Sequence, residues 1–233
     1  MVAPAVLNVY TIATPSLGDR SYVVTDGTHA VVIDPQRDID RVLAIINTHK
    51  LTVTHVCETH VHNDYVTGGY TLANQLGATY VLSAADEMFF TFHGVHDGDT
   101  FACGALTVTV LHTPGHTPTH LSYLVTLNDE QVVFTGGSLL YGSVGRTDLM
   151  SRAQAEELTR AQHASAKRLA TLADATTIFP THGFGSFCSS AAADDTMART
   201  DPKFGVEIST IGEQKQQNIA LTTRDTDTLV KLI

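Results

Sequence analysis

Thr59-His60-Val61-His62-Asn63-Asp64-Tyr65 follows directly on a run, Leu51 to Cys57, that reads as a buried strand. In an extended loop alternate side chains share a side, so His60, His62 and Asp64 converge just beyond the strand's carboxyl end. That is where open α/β folds place their sites. Two imidazoles and a carboxylate so spaced are metal-ligand geometry, and Gly68-Gly69 behind them opens onto a helix.

Two later histidine loops follow the same logic. Thr113-Pro114-Gly115-His116-Thr117-Pro118-Thr119-His120 also follows an apolar strand, and its Pro and Gly residues tie a tight loop that presents His116 rigidly. His116 is the third ligand on this reading, while His112 and His120 are read as structural or as supporting the ligands from behind. Pro180-Thr181-His182-Gly183-Phe184-Gly185 ends a short strand at a His-Gly pair. His29, His49, His55, His93, His96 and His163 fall in turns or on helix faces and are assigned no role.

Outward from these loops, strand and helix patterns alternate. Val6 to Ile12, Ser21 to Thr25 and Ala30 to Asp34 read as an antiparallel meander broken at Gly18-Asp19 and Asp26-Gly27. A helix follows from Asp38 to Lys50, acidic at its start and basic at its end as the helix dipole favours. A second helix, Gly68 to Leu76, closes at Gly77, and strands are expected at Ala78 to Leu82, Leu106 to Leu111, Leu121 to Leu127 and Val132 to Thr135. Ser151 to Leu172 is the longest helical stretch, with Ser151 as its cap; Thr176 to Phe179 is a last strand before helical patches at Ile211 to Leu221 and Asp225 to Ile233. The pattern is that of a layered α/β sandwich.

Composition agrees. The 233 residues, 43% hydrophobic and 16% charged, exclude a disordered or fibrous chain and suit one domain, 1–233, with a helical tail from about 191 that ends as if further domains follow. Lys and Arg total 14 against 24 acidic residues, a formal charge of -10 with no basic stripe, which argues against nucleic acid. No run approaches the roughly 18 apolar residues of a membrane span. Three widely spaced cysteines, Cys57, Cys103 and Cys188, read as thiols in a reducing compartment, so a cytoplasmic location is expected.

In order, these segments resemble the metallo-β-lactamase superfamily, whose signature is T-H-x-H-x-D-H followed by single ligands from later loops. The resemblance covers roughly residues 5 to 190. Pro114-Gly115-His116-Thr117, Phe134-Thr135-Gly136 and Gly145-Arg146-Thr147-Asp148 are similar to the persulfide dioxygenase and glyoxalase II branch, and most of all to bacterial proteins in which such a domain precedes rhodanese domains. The resemblance implies a four-layer αββα sandwich with the metal at one edge between two sheets. It implies His60, His62 and His116 as the first metal site, and Asp64 and His182 in the second.

Two departures matter. Tyr65 stands where the signature ends in histidine, leaving a second site too poor in ligands for firm binding. The family's Thr-Gly-Asp reads Thr135-Gly136-Gly137, so its metal-binding carboxylate is missing. One Fe(II) or Zn(II) per chain on three histidines is the expected centre, with Asp64 or Asp148 as alternative carboxylates. Arg146 is read either as a holder of a substrate carboxylate such as glutathione's or as the partner of Asp148. Cys188 is read as a carrier or attacker of a persulfide, or as a buried inert thiol. The expected activity is oxidation of a small persulfide such as glutathione persulfide to sulfite, with Asp64, Tyr65, His182 and Cys188 around the reacting atoms. A metal-dependent thioester hydrolase, or a domain that has lost catalysis and docks other sulfurtransferase modules, are the alternatives.

Overall fold

Alternating apolar segments build two sheets in this computed structural model, which describes residues 4–183, 185–189 and 198–233. Phe184 and the expected start of the tail near 191 lie outside the described residues. The first half contains β1 (Asn8–Thr14), β2 (Asp19–Thr25), β3 (His29–Ile33), α1 (Asp40–His49), β4 (Thr52–Cys57), α2 (Gly69–Leu76), β5 (Thr79–Ser83) and β6 (His93–Val95). The second contains β7 (Thr100–Cys103), β8 (Leu106–His112), β9 (Leu121–Leu127), β10 (Glu130–Gly136), α3 (Ala155–Leu169), β11 (Thr177–Pro180), β12 (Arg199–Thr200), β13 (Glu207–Thr210), α4 (Ile211–Gln217), α5 (Ile219–Thr222) and α6 (Thr226–Val230). Among the described residues one sheet runs β1-β2-β3-β4-β5-β6 and the other β12-β13-β11-β10-β9-β8-β7.

Side-chain alternation assigns the layers. One face of each sheet, with Tyr22, Val31 and Val81 from the first and Val108, Tyr123 and Phe134 from the second, makes the central core. The opposite face of the first sheet buries Val23, Val32 and Val56 under Val42 and Ile46 of α1 and Leu72 of α2. That of the second sheet buries Val133 and Ile178 under Ala166 and Leu169 of α3, with Ile211, Ala220 and Leu229 from the tail. The result is the expected αββα order. No helix among the described residues is long and apolar enough to cross a membrane.

Local chemistry explains where the elements differ from expectation. The helix expected from Ser151 begins at Ala155, because the Ser151 hydroxyl and carbonyl close a separate turn by accepting from the Gln154 amide at 3.3 and 3.2 Å. The patch from Ile211 to Leu221 divides at Asn218, whose extended backbone lets its Nδ2 donate to Leu140 O and Ser143 O while Oδ1 caps Ala220. The strands β6, β7, β12 and β13 were not anticipated; at two to four residues they are too short for periodicity to register.

The sheets are also tied through Asp26, in the turn between β2 and β3. Its carboxylate accepts from the amides of Thr28 and His29 and, across the sandwich, from Ala105 in the β7–β8 turn. Burial raises its pKa, but these amides, Ala105 foremost, outweigh it and the net value lies below normal. A folded-state value below the unfolded one means stability that is complete above about pH 4 and is lost as pH falls through the lower folded value. Asp26→Asn is therefore expected to cost about 2 kcal/mol at pH 7 and to flatten the acid limb of a urea-unfolding series. An unchanged acid limb would remove Asp26 from this account.

Candidate metal centre

The parallel pairs β3/β4 and β10/β11 end at one edge of the sandwich. Four loops meet there: Asp34 after β3, the Thr59–Tyr65 loop after β4, Gly136-Gly137 at the end of β10 and His182 after β11. The β8–β9 loop adds His116, and Asp19 opens β2 beside them. Asp19, Asp34, His60, His116 and His182 are all buried.

Hydrogen bonds fix which nitrogen of each ring carries its proton. His116 Nδ1 lies 2.8 Å from the Arg146 carbonyl, which only accepts, so Nδ1 donates. His182 Nδ1 donates to Asp19 Oδ1 at 2.9 Å. The Thr59 hydroxyl has one proton and gives it to Asp34 Oδ2 at 2.7 Å, so at 2.9 Å it accepts from His60 Nδ1. In the neutral rings the lone pairs then fall on the three Nε2 atoms, and these face one another. His60 Nε2 and His182 Nε2 stand 3.2 Å apart, His116 Nε2 has no hydrogen-bond partner, and the three nitrogens lie within 4.8 Å of one another. Lone pairs that close repel unless a proton or a metal cation lies between them, and three imidazoles suit a first-row divalent metal.

His62 lies in a second ring of contacts. Its Nε2 is 3.3 Å from Asp34 Oδ1 and 3.8 Å from Glu58 Oε2, while Nδ1 is 3.9 Å from Asp64 Oδ1. The structure thus groups His182 with His60 and His116, and also with His62 and Asp64. Tyr65 stacks on His62 at 4.3 Å and donates to the Asp34 carbonyl. His120 is taken up elsewhere: Nδ1 bonds Thr113 Oγ1, and Nε2 accepts from the Gly137 amide at 3.0 Å.

Burial sets the electrostatics. It pushes the pKa of His60 and His116 well down, each further depressed by neighbouring histidines, and that of His120 to about 3, so these rings are neutral at pH 7. For His182 burial is outweighed by the Asp19 hydrogen bond and the charge of Asp64, and its pKa is raised; burial also raises Asp19, against the pull of that bond. Burial and the charge of Asp34 lift Glu58 well above the carboxylate range. Asp34 itself is lowered: the charge of His62 and its hydrogen bonds, Thr181 and Thr59 among the donors, overcome burial.

The glycines explain the missing carboxylate. A Cβ on Gly137 would sit 2.3 Å from His116 Cδ2, and one on Gly145 2.6 Å from His116 Nδ1. The imidazole is sandwiched between the two, in the space an aspartate at 137 would need. Of the alternative carboxylates, Asp148 takes Nε and a terminal nitrogen of Arg146 at 2.7 and 2.9 Å, the pairing expected of a loop support. Arg146 also stacks over exposed Phe187 at 4.4 Å and borders a cavity of about 370 Å³ with Thr147 and Ser189. Cys188 Sγ donates to Asp64 Oδ2 at 3.4 Å; burial and that carboxylate push its pKa up, so it is a thiol rather than a thiolate.

Sequence reasoning passed over Asp19, Asp34 and Glu58. Asp34 had a signal, an acid ending an apolar strand before Pro35, and Glu58 directly precedes Thr59-His60. Asp19 reads as an ordinary turn residue; only the fold brings it to His182.

Two sheets with helices outside and histidine loops at one edge define a four-layer sandwich with a candidate metal centre. The chain belongs to the metallo-beta-lactamase superfamily, whose family model matches residues 18–182. It is 29% identical over 212 residues to the mitochondrial persulfide dioxygenase ETHE1 of Bos taurus, covering 88% of this chain and 70% of the relative. It is 27% identical over 238 residues to the hydroxyacylglutathione hydrolase of Rhizobium johnstonii, covering 95% and 88%. The crystal structure of ETHE1 from Myxococcus xanthus superposes with a TM-score of 0.76 at 30% identity, covering 96% of this chain and 88% of that one.

Proposed function

We propose that this chain is a mononuclear, metal-dependent persulfide dioxygenase that oxidises glutathione persulfide or another small persulfide to sulfite. The observation that carries the reading is the convergence of His60, His116 and His182, all buried, with His62 and Asp64 grouped against the same His182. The similarity to persulfide dioxygenases supports the substrate class. Iron(II) held by His60, His116 and His182 would supply the redox chemistry for oxidising a persulfide sulfur with dioxygen. The overall balance is R–S–SH + O2 + H2O giving R–SH, sulfite and two protons.

The chain's own groups do the rest. Burial keeps His60 and His116 neutral, so their Nε2 atoms are donors, and Asp19 takes the Nδ1 side of His182 so that its Nε2 faces the site. Asp64, with Oδ1 bare and Oδ2 held by Cys188, is the carboxylate placed to take a proton released at the site. Tyr65 keeps His62 stacked and the second position poor in ligands. Arg146, with two nitrogens on Asp148, keeps its remaining nitrogen for a carboxylate of the thiol carrier at the rim cavity.

Metal content after anaerobic purification, followed by O2 uptake with glutathione persulfide, tests the reading. About one iron per chain is expected, with sulfite formed mole for mole with O2 consumed. The similarity to a hydroxyacylglutathione hydrolase favours one second reading. Zinc in the protein, no O2 uptake and hydrolysis of a glutathione thioester would establish that reading and overturn ours.

A further inference from the structure

Gly137 removes a carboxylate from the centre, and the ring of His116 fills its place, so negative charge must reach the histidines another way. It arrives from behind, through the Nδ1 protons. His60 is linked through Thr59 to Asp34, and His116 only to an uncharged carbonyl. His182 alone gives its proton directly to a carboxylate, Asp19, at 2.9 Å, with both side chains fully buried.

The backbone around Asp19 is built for this contact. Gly18, at φ +69°, presses so closely on the loop after His182 that a Cβ there would lie 2.3 Å from the Ser186 amide nitrogen and 2.8 Å from the Gly183 carbonyl oxygen. On the other side, the Arg20 amide donates to the Thr181 carbonyl at 2.8 Å. Two backbone approaches therefore clamp Asp19 against a histidine 163 positions away. Asp64 is the other carboxylate near that nitrogen, at 3.5 Å, and it also holds the Cys188 thiol.

We infer that Asp19 is the positioning residue of the metal centre: it locks His182 in the Nδ1–H form, aims Nε2 at His60 and His116, and supplies through the imidazole the anionic character that Gly137 has removed. This rests on the metal-centre reading above, and it does not depend on which reaction the centre performs. A carboxylate behind a ligating imidazole fixes its tautomer and raises its basicity, and losing such a partner weakens metal binding about 10- to 100-fold.

The test uses Zn(II) alone, with affinity measured by competition against a chromophoric chelator. Asp19→Ala is expected to weaken Zn(II) binding about 10- to 100-fold. Asp19→Asn keeps the shape and an acceptor oxygen but loses the charge, and should fall between Ala and wild type. An acceptor with a merely structural role would leave the Asn variant at wild-type affinity. Nitrogen-15 spectra of histidine-labelled, metal-free protein should show His182 protonated at Nδ1 in the wild type, with that preference lost in Asp19→Ala. Should the Ala variant fail to fold, the Asn variant decides the matter. Wild-type Zn(II) affinity in Asp19→Asn, His182 bare at Nδ1 in the wild type, or a wild-type chain that takes up no Zn(II), overturns the inference. Neither readout involves persulfide or O2, so a failed O2-uptake assay alongside a weakened Asn variant overturns the dioxygenase reading alone.

Discussion

Gly137→Asp, which restores the carboxylate of the superfamily pattern, is expected to destroy the metal centre rather than complete it. The new Cβ would arrive 2.3 Å from His116 Cδ2 and 2.6 Å from Cγ. Neither partner has room to yield. The ring is backed by Gly145 and held by the Arg146 carbonyl, and Gly137 is held by the Gly145 amide on its oxygen and His120 on its nitrogen. Overpacking of this kind costs about 1–3 kcal/mol, and burying the added carboxylate in the metal-free chain costs several kcal/mol more. Together they amount to on the order of 4 kcal/mol, a fall in Tm of roughly 10 °C for a chain of this size. Metal content by elemental analysis should drop with it. A Gly137→Asp protein as stable as the wild type and holding two metals per chain would show that the glycine is a casual loss and not part of the His116 site.

His116→Ala is expected to remove both metal and reaction. His116 supplies a neutral nitrogen with no other partner, from a ring that fills the space between two glycines, so nothing nearby can take its place. Removing a residue that only supports a ligand costs about 10- to 100-fold, and removing the ligand itself should exceed about 100-fold. O2 uptake with glutathione persulfide should fall to the background rate, while circular dichroism reports a retained fold. An O2-uptake rate near wild type in this variant would exclude the ligand set proposed here. The two variants act on the same imidazole from opposite sides, one by crowding it and one by deleting it, so their metal losses should match.

The layers of the sandwich were readable before any coordinates, because burial of a repeating face writes itself into local periodicity. Leu121 to Leu127 alternates as a strand must, and the Gly77 closure of α2 is a local backbone requirement met at φ 66°. His60, His62, Asp64 and His116 were readable for the same reason: the chemistry of a short loop is carried by neighbours in sequence. The local sequence at His182 shows only a histidine beside a glycine, its place in the site coming from the family resemblance, and Asp19 reads only as a turn residue, since nothing local distinguishes a residue whose partner lies 163 positions away.

By itself, then, the sequence determined the class of fold, the three loops that supply histidine, and the loss of the usual aspartate at 137. The tertiary structure decided which nitrogen of each ring faces the site, that His182 joins His60 and His116, and that Asp19 stands behind it. It also decided why no side chain is possible at 137. These are properties of distance and of shared protons between groups from different loops, and they come into being only when the two sheets close on each other and exclude water from the edge where those loops meet.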